Sequence, residues 1–196
     1  MSQESKKQIL ELAKALEALT FGDFTLSSGQ KSKYYFDGRI LTLSSAGSYL
    51  VGEAILEEAY KYGAEEIGGP TLGADPIVSA VILTSHLKGR PINGFLVRSS
   101  AKGHGTEQLL EGPITRTNAK EHMPKVLIVD DVCTSGGSLF HAISAAENYG
   151  CEVVCVVVIL DRKQGGSEAI RKKGYFFVSL LDATDEGLVT ISRKKS

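Results

Sequence analysis

The residues best suited to chemistry follow four consecutive apolar residues, 126–129, a pattern typical of a buried strand. Asp130 and Asp131 come next, and residues 134–138 (Thr-Ser-Gly-Gly-Ser) then lead into a predicted helix. Backbone N–H groups at a helix start, together with hydroxyl side chains, suit a phosphate group. The two carboxylates would repel that phosphate, but they suit the vicinal hydroxyls of a ribose or a Mg²⁺ shell. The run therefore predicts a site that binds ribose 5-phosphate.

Other interpretations of this run are weaker. Asp130 and Asp131 alone could be no more than the end of a strand, and residues 134–138 no more than a helix cap. The sequence contains no Gly-x4-Gly-Lys-Ser/Thr motif, which excludes a P-loop, and no Gly-x-Gly-x-x-Gly after a strand, which argues against a dinucleotide-binding domain.

The elements around this run predict a doubly wound α/β fold with a mainly parallel central sheet flanked by helices, because strongly apolar strands alternate with helices. The strands are predicted at 67–70, 92–98, 125–130, 151–160 and 175–181, and the helices at 5–19, 44–62, 75–88, 137–149 and 167–173. In such sheets ligands bind at the carboxyl ends of the strands, where Asp130 and Asp131 lie.

The chain of 196 residues is predicted to form one domain. Residues 1–43 form a small N-terminal layer in this prediction, with short strands and a turn from 20, and residues 44–196 form the α/β core. The segment 99–123 shows little apolar periodicity, and loops of this length are commonly lids or binding loops. Lys102 and His104 lie in it.

Composition excludes several classes of protein. The net charge of −1 gives no indication of nucleic-acid or membrane binding. No apolar run approaches the roughly 18 residues that span a bilayer, and the N-terminus lacks the pattern of a signal peptide. Cys151 and Cys155 are interpreted as buried, reduced side chains of a cytoplasmic protein.

Residues 126–138 resemble the 5-phosphoribosyl-1-pyrophosphate (PRPP) motif of the type I phosphoribosyltransferases. Four more segments resemble, in the same order, parts of the orotate phosphoribosyltransferases: an N-terminal hood at 24–39, a pyrophosphate loop at 69–75, a mobile catalytic loop at 98–105 and a base-contacting arginine strand at 160–162. Because five ordered matches cover nearly the whole chain, it is identified as a member of that family.

The resemblance implies transfer of the 5-phosphoribosyl group from PRPP to orotate in pyrimidine (UMP) biosynthesis, with orotidine 5-phosphate and pyrophosphate as products. It implies catalytic roles for Arg98, Lys102, His104 and Asp131, and orotate contacts from Thr134 and Arg162. It implies PRPP contacts from Arg98, Lys102, His104, Asp130, Asp131, Val132, Cys133, Thr134, Ser135, Gly136, Gly137 and Ser138. Mg²⁺ would arrive with PRPP, with Asp130 and Asp131 as possible supports. The protein would be a homodimer whose mobile loop acts across the interface.

The sequence departs from the family pattern where cations are expected. Ser99 and Ser100 follow Arg98 where a lysine is usual, and Ser27 and Gly73 stand where a lysine is frequent. Loss of a charged transition-state contact commonly costs about 10²-fold or more in rate. Lys31, Lys33 or Lys102 could compensate. Two alternatives therefore stay open: a phosphoribosyltransferase for a purine base, and a non-catalytic sensor of PRPP or nucleotides. An unusual peptide bond near Pro70 also stays an open question.

Overall fold

The structure is a computed structural model that describes residues 2–25, 29, 31–100, 109–114, 123–184 and 186–192. Its helices are α1 (Gln3–Ala15), α2 (Gly38–Thr42), α3 (Ser45–Lys61), α4 (Ala74–Leu87), α5 (Gly137–Tyr149) and α6 (Gly166–Lys172). Its strands are β1 (Leu19–Thr25), β2 (Lys31–Phe36), β3 (Glu66–Pro70), β4 (Asn93–Val97), β5 (Leu110–Glu111), β6 (Lys125–Cys133), β7 (Glu152–Asp161), β8 (Phe177–Ala183) and β9 (Val189–Ile191).

Seven of the described strands form the central sheet, in the order β5-β4-β3-β6-β7-β8-β9. The five inner strands are parallel, and β5 and β9 pair antiparallel at the two edges. The predicted doubly wound, mainly parallel fold is confirmed. From β3 the chain adds β4 on one side, and from β6 it adds β7 and β8 on the other. The direction therefore reverses between β3 and β6, which is where ligands bind in sheets of this kind.

Side chains of β6 alternate between two cores, one on each face of the sheet. Leu127 and Val129 pack with α1, α3 and α4, whereas Val126 and Ile128 pack with α5 and α6. All four are fully buried. A strand that is apolar on both faces must be covered on both, which explains its continuous apolar sequence.

β1 and β2 form a separate antiparallel pair, which α2 follows in the chain. We call residues 19–42 the hood. The sequence assigned residues 1–43 to the N-terminal layer, and Ile9 and Ala13 of α1 share one core cluster with the hood residues Tyr34 and Leu41 and with α3. The predicted first helix ended too late, because α1 stops at Ala15 and Leu19 already belongs to β1.

The segment predicted as one loop, 99–123, is interrupted by β5, whose residues pair with β4. A strand of two residues is too short to leave a periodic pattern, which is why the sequence did not predict it. The helix predicted at 137–149 is confirmed as α5. Within the described part of the chain, no helix has the length and apolarity needed to cross a membrane.

Candidate active site

Asp130 and Asp131 lie near the carboxyl end of β6, which runs three residues further than predicted and ends at Cys133. Asp130 is only 6% exposed, and Asp131 is partly buried. Burial and then repulsion by Asp131 raise the pKa of Asp130 to about 7. Burial also raises the pKa of Asp131. Two adjacent carboxyl groups of this kind titrate as a pair. Burial makes their negative charge unfavourable, and hydrogen-bond donors or a cation brought by a ligand would stabilise it.

Hydrogen bonds fix Asp130 in place. Ser138 Oγ donates to Asp130 Oδ2 at 3.0 Å, and the Asp131 amide donates to Asp130 Oδ1 at 2.9 Å. The sequence suggested that the Ser138 hydroxyl would donate to a phosphate, but in this structure its proton is used by Asp130. In this arrangement Ser138 would serve a bound phosphate through its backbone N–H.

The turn after β6 presents backbone donors. Gly136 adopts φ 84° as the N-cap of α5, a left-handed conformation that favours glycine. The N–H groups of the first turn of α5 have no intrahelical acceptor, and no side chain of the described residues caps this helix start. Thr134 and Ser135 are exposed beside them. The turn can therefore accept an anion such as a phosphate monoester.

Arg162 follows β7 directly and lies beside this turn, because its amide donates to the Cys133 carbonyl at 2.9 Å. Its guanidinium is held by the hood: Nη2 donates to Ser32 Oγ at 3.2 Å, and Cζ lies 4.8 Å from the centre of the Tyr34 ring. Tyr34 is itself buried. These contacts orient the arginine at the carboxyl end of the strands, the same end at which Asp130 lies.

Arg98 follows β4, so it also lies at the carboxyl end of the strands, and β3 separates β4 from β6. Its Nη1 lies 3.3 Å from Glu111 Oε1, and its carbonyl is 2.8 Å from His141 Nε2 on α5. The structure thus ties Arg98 to β5 and α5 beside the site. Lys102 and His104, the other two predicted cations, lie outside the described residues.

A cleft of about 310 Å³ opens between the hood, the end of β6 and the turn before α4. It is lined by Tyr35, Phe36, Asp37, Arg39, Leu72, Gly73 and Asp131. The peptide bond between Thr71 and Leu72 is cis. From the sequence, an unusual peptide bond near Pro70 was an open question.

Comparisons with known proteins agree on one family. A model of the phosphoribosyl transferase domain matches residues 77–187. The orotate phosphoribosyltransferase of Corynebacterium glutamicum is 39% identical over 96% of this chain and 97% of its own length. That of Rhodopirellula baltica is 40% identical, covering 96% and 99%. The solved Mycobacterium tuberculosis orotate phosphoribosyltransferase in complex with Fe(III) dicitrate superposes with a TM-score of 0.77 at 38% identity, covering 94% and 99%.

The chain belongs to the orotate phosphoribosyltransferase family. The resemblance predicted from five sequence segments is therefore confirmed. A Trypanosoma brucei adenine phosphoribosyltransferase, with a TM-score of 0.67 at 15% identity, shares the fold alone.

The cysteines of this orotate phosphoribosyltransferase family member lie in an apolar environment that disfavours the reactive thiolate. Cys133, Cys151 and Cys155 are all free and buried. Burial raises the pKa of the Cys133 thiol to about 12, so it stays protonated and is a poor nucleophile. Cys133 and Val132 belong to β6 and not to the turn, so Cys133 can meet a ligand only through its backbone.

The carboxylates at the end of β6 fit a metal ion that takes most of its ligands from substrate and water. Among the described residues, no group of three or more His, Cys, Asp or Glu side chains could hold a metal ion. Asp130 and Asp131 offer one or two carboxylate oxygens, which suits Mg²⁺ bound chiefly to phosphate oxygens and water.

Sequence reasoning did not predict how closely three glycines pack around the aspartates and the turn. A Cβ on Gly38 would lie 2.6 Å from Asp131 Cβ, and one on Gly73 would lie 2.6 Å from the Oδ1 atoms of both aspartates. A Cβ on Gly166 would lie 2.6 Å from the Thr134 carbonyl oxygen. Such close approaches leave no periodic pattern, although the pair Gly165-Gly166, at the start of α6, was a local indication of a tight turn.

Gly166→Ala is expected to raise KM for PRPP about tenfold and to lower the Tm. Gly166 N donates to the Thr134 carbonyl at 3.0 Å, and the added methyl group would also lie 2.7 Å from the Gly136 amide nitrogen. The turn at 134–136 must therefore move, at a cost of about 1–3 kcal/mol. Steady-state kinetics and thermal unfolding measure both effects. Gly22→Ala is the control, because its Cβ would meet no atom closer than 3.4 Å. An unchanged KM for PRPP would contradict the packing argument.

Proposed function

We propose that this protein is an orotate phosphoribosyltransferase that transfers the 5-phosphoribosyl group from PRPP to a ring nitrogen of orotate. The products are orotidine 5-phosphate and pyrophosphate, on the route of pyrimidine synthesis to UMP. The observation that carries the proposal is the identity of about 40% with orotate phosphoribosyltransferases over nearly the whole chain. The arrangement of Asp130, Asp131, the 134–138 turn and Arg162 supports it independently.

In this proposal the end of β6 binds the ribose 5-phosphate part of PRPP. The 5-phosphate accepts hydrogen bonds from the backbone N–H groups of residues 134–138 and from the hydroxyls of Thr134 and Ser135. The ribose hydroxyls donate to Asp130 and Asp131. A solved structure of the M. tuberculosis relative in complex with PRPP, similar with a TM-score of 0.74 at 35% identity, supports PRPP as the donor substrate.

The orotate carboxylate binds Arg162 in this proposal, with Thr134 beside the ring. A planar guanidinium matches a carboxylate with two parallel hydrogen bonds. Tyr34 and Ser32 hold the guanidinium in orientation. Because less side-chain entropy is lost on binding, such an arrangement favours affinity.

Rupture of the bond between the anomeric carbon and pyrophosphate leaves an oxocarbenium-like centre and places negative charge on the leaving group. Cations that contact that charge in the transition state lower the barrier. Arg98, Lys102 and His104 are proposed for this role. When bound, Mg²⁺ supplies Lewis-acid stabilisation of the phosphate oxygens. Asp130 and Asp131 would support the ion from the ribose side.

The assay mixes the protein with PRPP, Mg²⁺ and orotate and follows the loss of orotate absorbance. We expect turnover that requires all three. Turnover with a purine base but not with orotate would replace the acceptor substrate in the proposal. PRPP binding without turnover on any base would instead make the protein a sensor.

A homodimer is part of the same proposal, supported by an apolar groove of about 370 Å³ between α3 and α4. Tyr49, Leu83 and Leu87 line it, and their side chains are 60–77% exposed. Contiguous exposed apolar surface of this kind is typical of an interface. In the dimer, the loop that contains Lys102 and His104 would act across the interface.

The double substitution Leu83→Glu and Leu87→Glu is expected to convert the dimer into monomers and to lower activity, because four carboxylates would meet at the interface. Light scattering after size-exclusion chromatography gives the mass directly. Leu188→Glu is the control, since Leu188 is exposed but lies outside this groove. A wild-type protein that is monomeric at assay concentration, or a double variant that stays dimeric, would refute this interface.

A cytoplasmic location is also proposed. Three free buried cysteines agree with a reducing compartment.

A further inference from the structure

We propose that Arg39 binds the pyrophosphate leaving group and stabilises its charge in the transition state. The inference rests on the proposed phosphoribosyl transfer and deepens it, because Arg39 was not among the cations predicted from the sequence.

Arg39 lies in the second position of α2 and lines the cleft between the hood and the end of β6. Leu72, Gly73 and Asp131 line the same cleft. The start of α2 approaches so closely that a Cβ on Gly38 would overlap Asp131. Arg39 therefore faces the same cleft as the carboxylate that is proposed to hold the ribose.

Asp37 aims the Arg39 side chain. Asp37 Oδ1 accepts hydrogen bonds from Arg39 Nε at 3.1 Å and from the Arg39 amide at 3.0 Å, and Asp37 Oδ2 accepts one from Nη2 at 3.0 Å. This two-pronged contact fixes the plane of the guanidinium. It leaves the Nη1 N–H groups unused by Asp37, so that they can donate to a ligand. The Arg39 side chain is 51% exposed, which leaves it accessible from the cleft.

Because carboxylates line the cleft, a cationic side chain is needed for an anion to bind there. The lining contains two carboxylates, Asp37 and Asp131, and Arg39 is the one cationic side chain among the described residues that line the cleft. A pyrophosphate with several negative charges would be repelled by such a lining unless cations contact it. Lys33 is paired with Asp23 at 2.5 Å, and Lys31 donates to Thr25 Oγ1. Neither lines the cleft.

The position matches the leaving group and not the 5-phosphate. None of the residues 134–138 lines this cleft. With the 5-phosphate on that turn and the ribose on Asp130 and Asp131, the far end of the ribose points toward Asp131, Gly73 and Arg39. The bond from the anomeric carbon to the pyrophosphate oxygen breaks there, its electron pair stays on that oxygen, and the orotate nitrogen forms the new bond. Arg39 donates hydrogen bonds to the departing oxygens and transfers no proton.

The test compares Arg39→Gln and Arg39→Lys with the control Arg90→Gln. Arg90 is exposed and lies just before β4, at the end of the sheet away from Asp131, so its replacement removes the same charge elsewhere. Titration calorimetry measures the affinity of pyrophosphate in the presence of Mg²⁺. Steady-state kinetics give kcat and KM for orotate.

Arg39→Gln should weaken pyrophosphate binding at least tenfold and lower kcat about 10²-fold, with an unchanged KM for orotate. Arg39→Lys should recover only part of the loss, because lysine cannot form the paired contact with Asp37. Unchanged pyrophosphate affinity in Arg39→Gln, or an equal loss in Arg90→Gln, would overturn the proposal. Because pyrophosphate binding is measured without a base, this result stands even if the wild-type protein fails to use orotate.

Discussion

Asp130→Asn is expected to lower kcat/KM for PRPP by about 10²-fold and, at pH 8, to make the protein more stable. A hydrogen bond to a charged group contributes about 1.5–3 kcal/mol, which corresponds to a loss of this size when the carboxylate that accepts from a ribose hydroxyl is replaced. The asparagine keeps the shape of the side chain. Its oxygen can still accept from the Asp131 amide, and the Ser138 hydroxyl can turn to accept from its NH₂ group.

The gain in stability follows from the raised pKa of Asp130. In the folded protein this pKa is about 7, above the unfolded value of about 4. Between these two pH values the folded state holds a proton that the unfolded state has lost. The free energy of unfolding therefore falls as pH rises from about 4 to about 7. Asparagine carries no charge to bury, so the variant avoids this loss, which a difference of about three pKa units puts at up to about 4 kcal/mol.

Urea unfolding of Asp130→Asn and of the wild type at pH 5 and pH 8 measures this difference. The stabilisation should be large at pH 8 and small at pH 5. Asp23→Asn is the control, because the Asp23 carboxylate is 84% exposed in its pair with Lys33. If the variant is less stable than the wild type at pH 8, the charged Asp130 carboxylate does not lower the free energy of unfolding, and the prediction is wrong.

Arg162→Gln is expected to raise KM for orotate about 10²-fold while leaving KM for PRPP unchanged. A paired guanidinium–carboxylate contact is among the stronger hydrogen-bonding arrangements, and glutamine keeps neither its charge nor its fork. Arg162→Lys should recover little, since an ammonium group cannot reproduce the planar contact or the stacking on Tyr34.

Kinetics with each substrate varied in turn separate a loss of orotate recognition from general damage. Lys172→Gln on α6 is the control, because it removes one exposed positive charge from the neighbouring helix. If KM for PRPP rises as much as KM for orotate, Arg162 maintains the structure of the site and does not recognise orotate specifically.

Much of the fold could be predicted from sequence because its parallel strands are apolar on both faces. β6, β7 and α5 carry long, regular patterns, and their bounds were predicted within a few residues. β5, β9 and α2 have two, three and five residues, respectively. Elements of this length owe their existence to pairing and packing with distant segments, which a local pattern does not contain.

The candidate site divides in the same way. Asp130, Asp131 and the 134–138 turn are consecutive, so their chemistry was visible in one run of residues. In the sequence, Arg39 was only the last residue of the segment 24–39, and nothing local indicated a role for it. Its interest arises because α2 packs against Asp131, a contact across more than 90 positions of sequence. The engagement of the Ser138 hydroxyl by Asp130 likewise depends on the relative position of α5 and β6.

The sheet ends in two very short antiparallel strands, β5 and β9. Strands of two and three residues offer another chain little backbone with which to pair. The long apolar strands β6 and β7, whose sequences would be aggregation-prone at an open edge, lie in the middle of the sheet. The described central sheet therefore offers little edge for fibril-like growth by strand addition, which leaves its helical faces as the surfaces for controlled assembly.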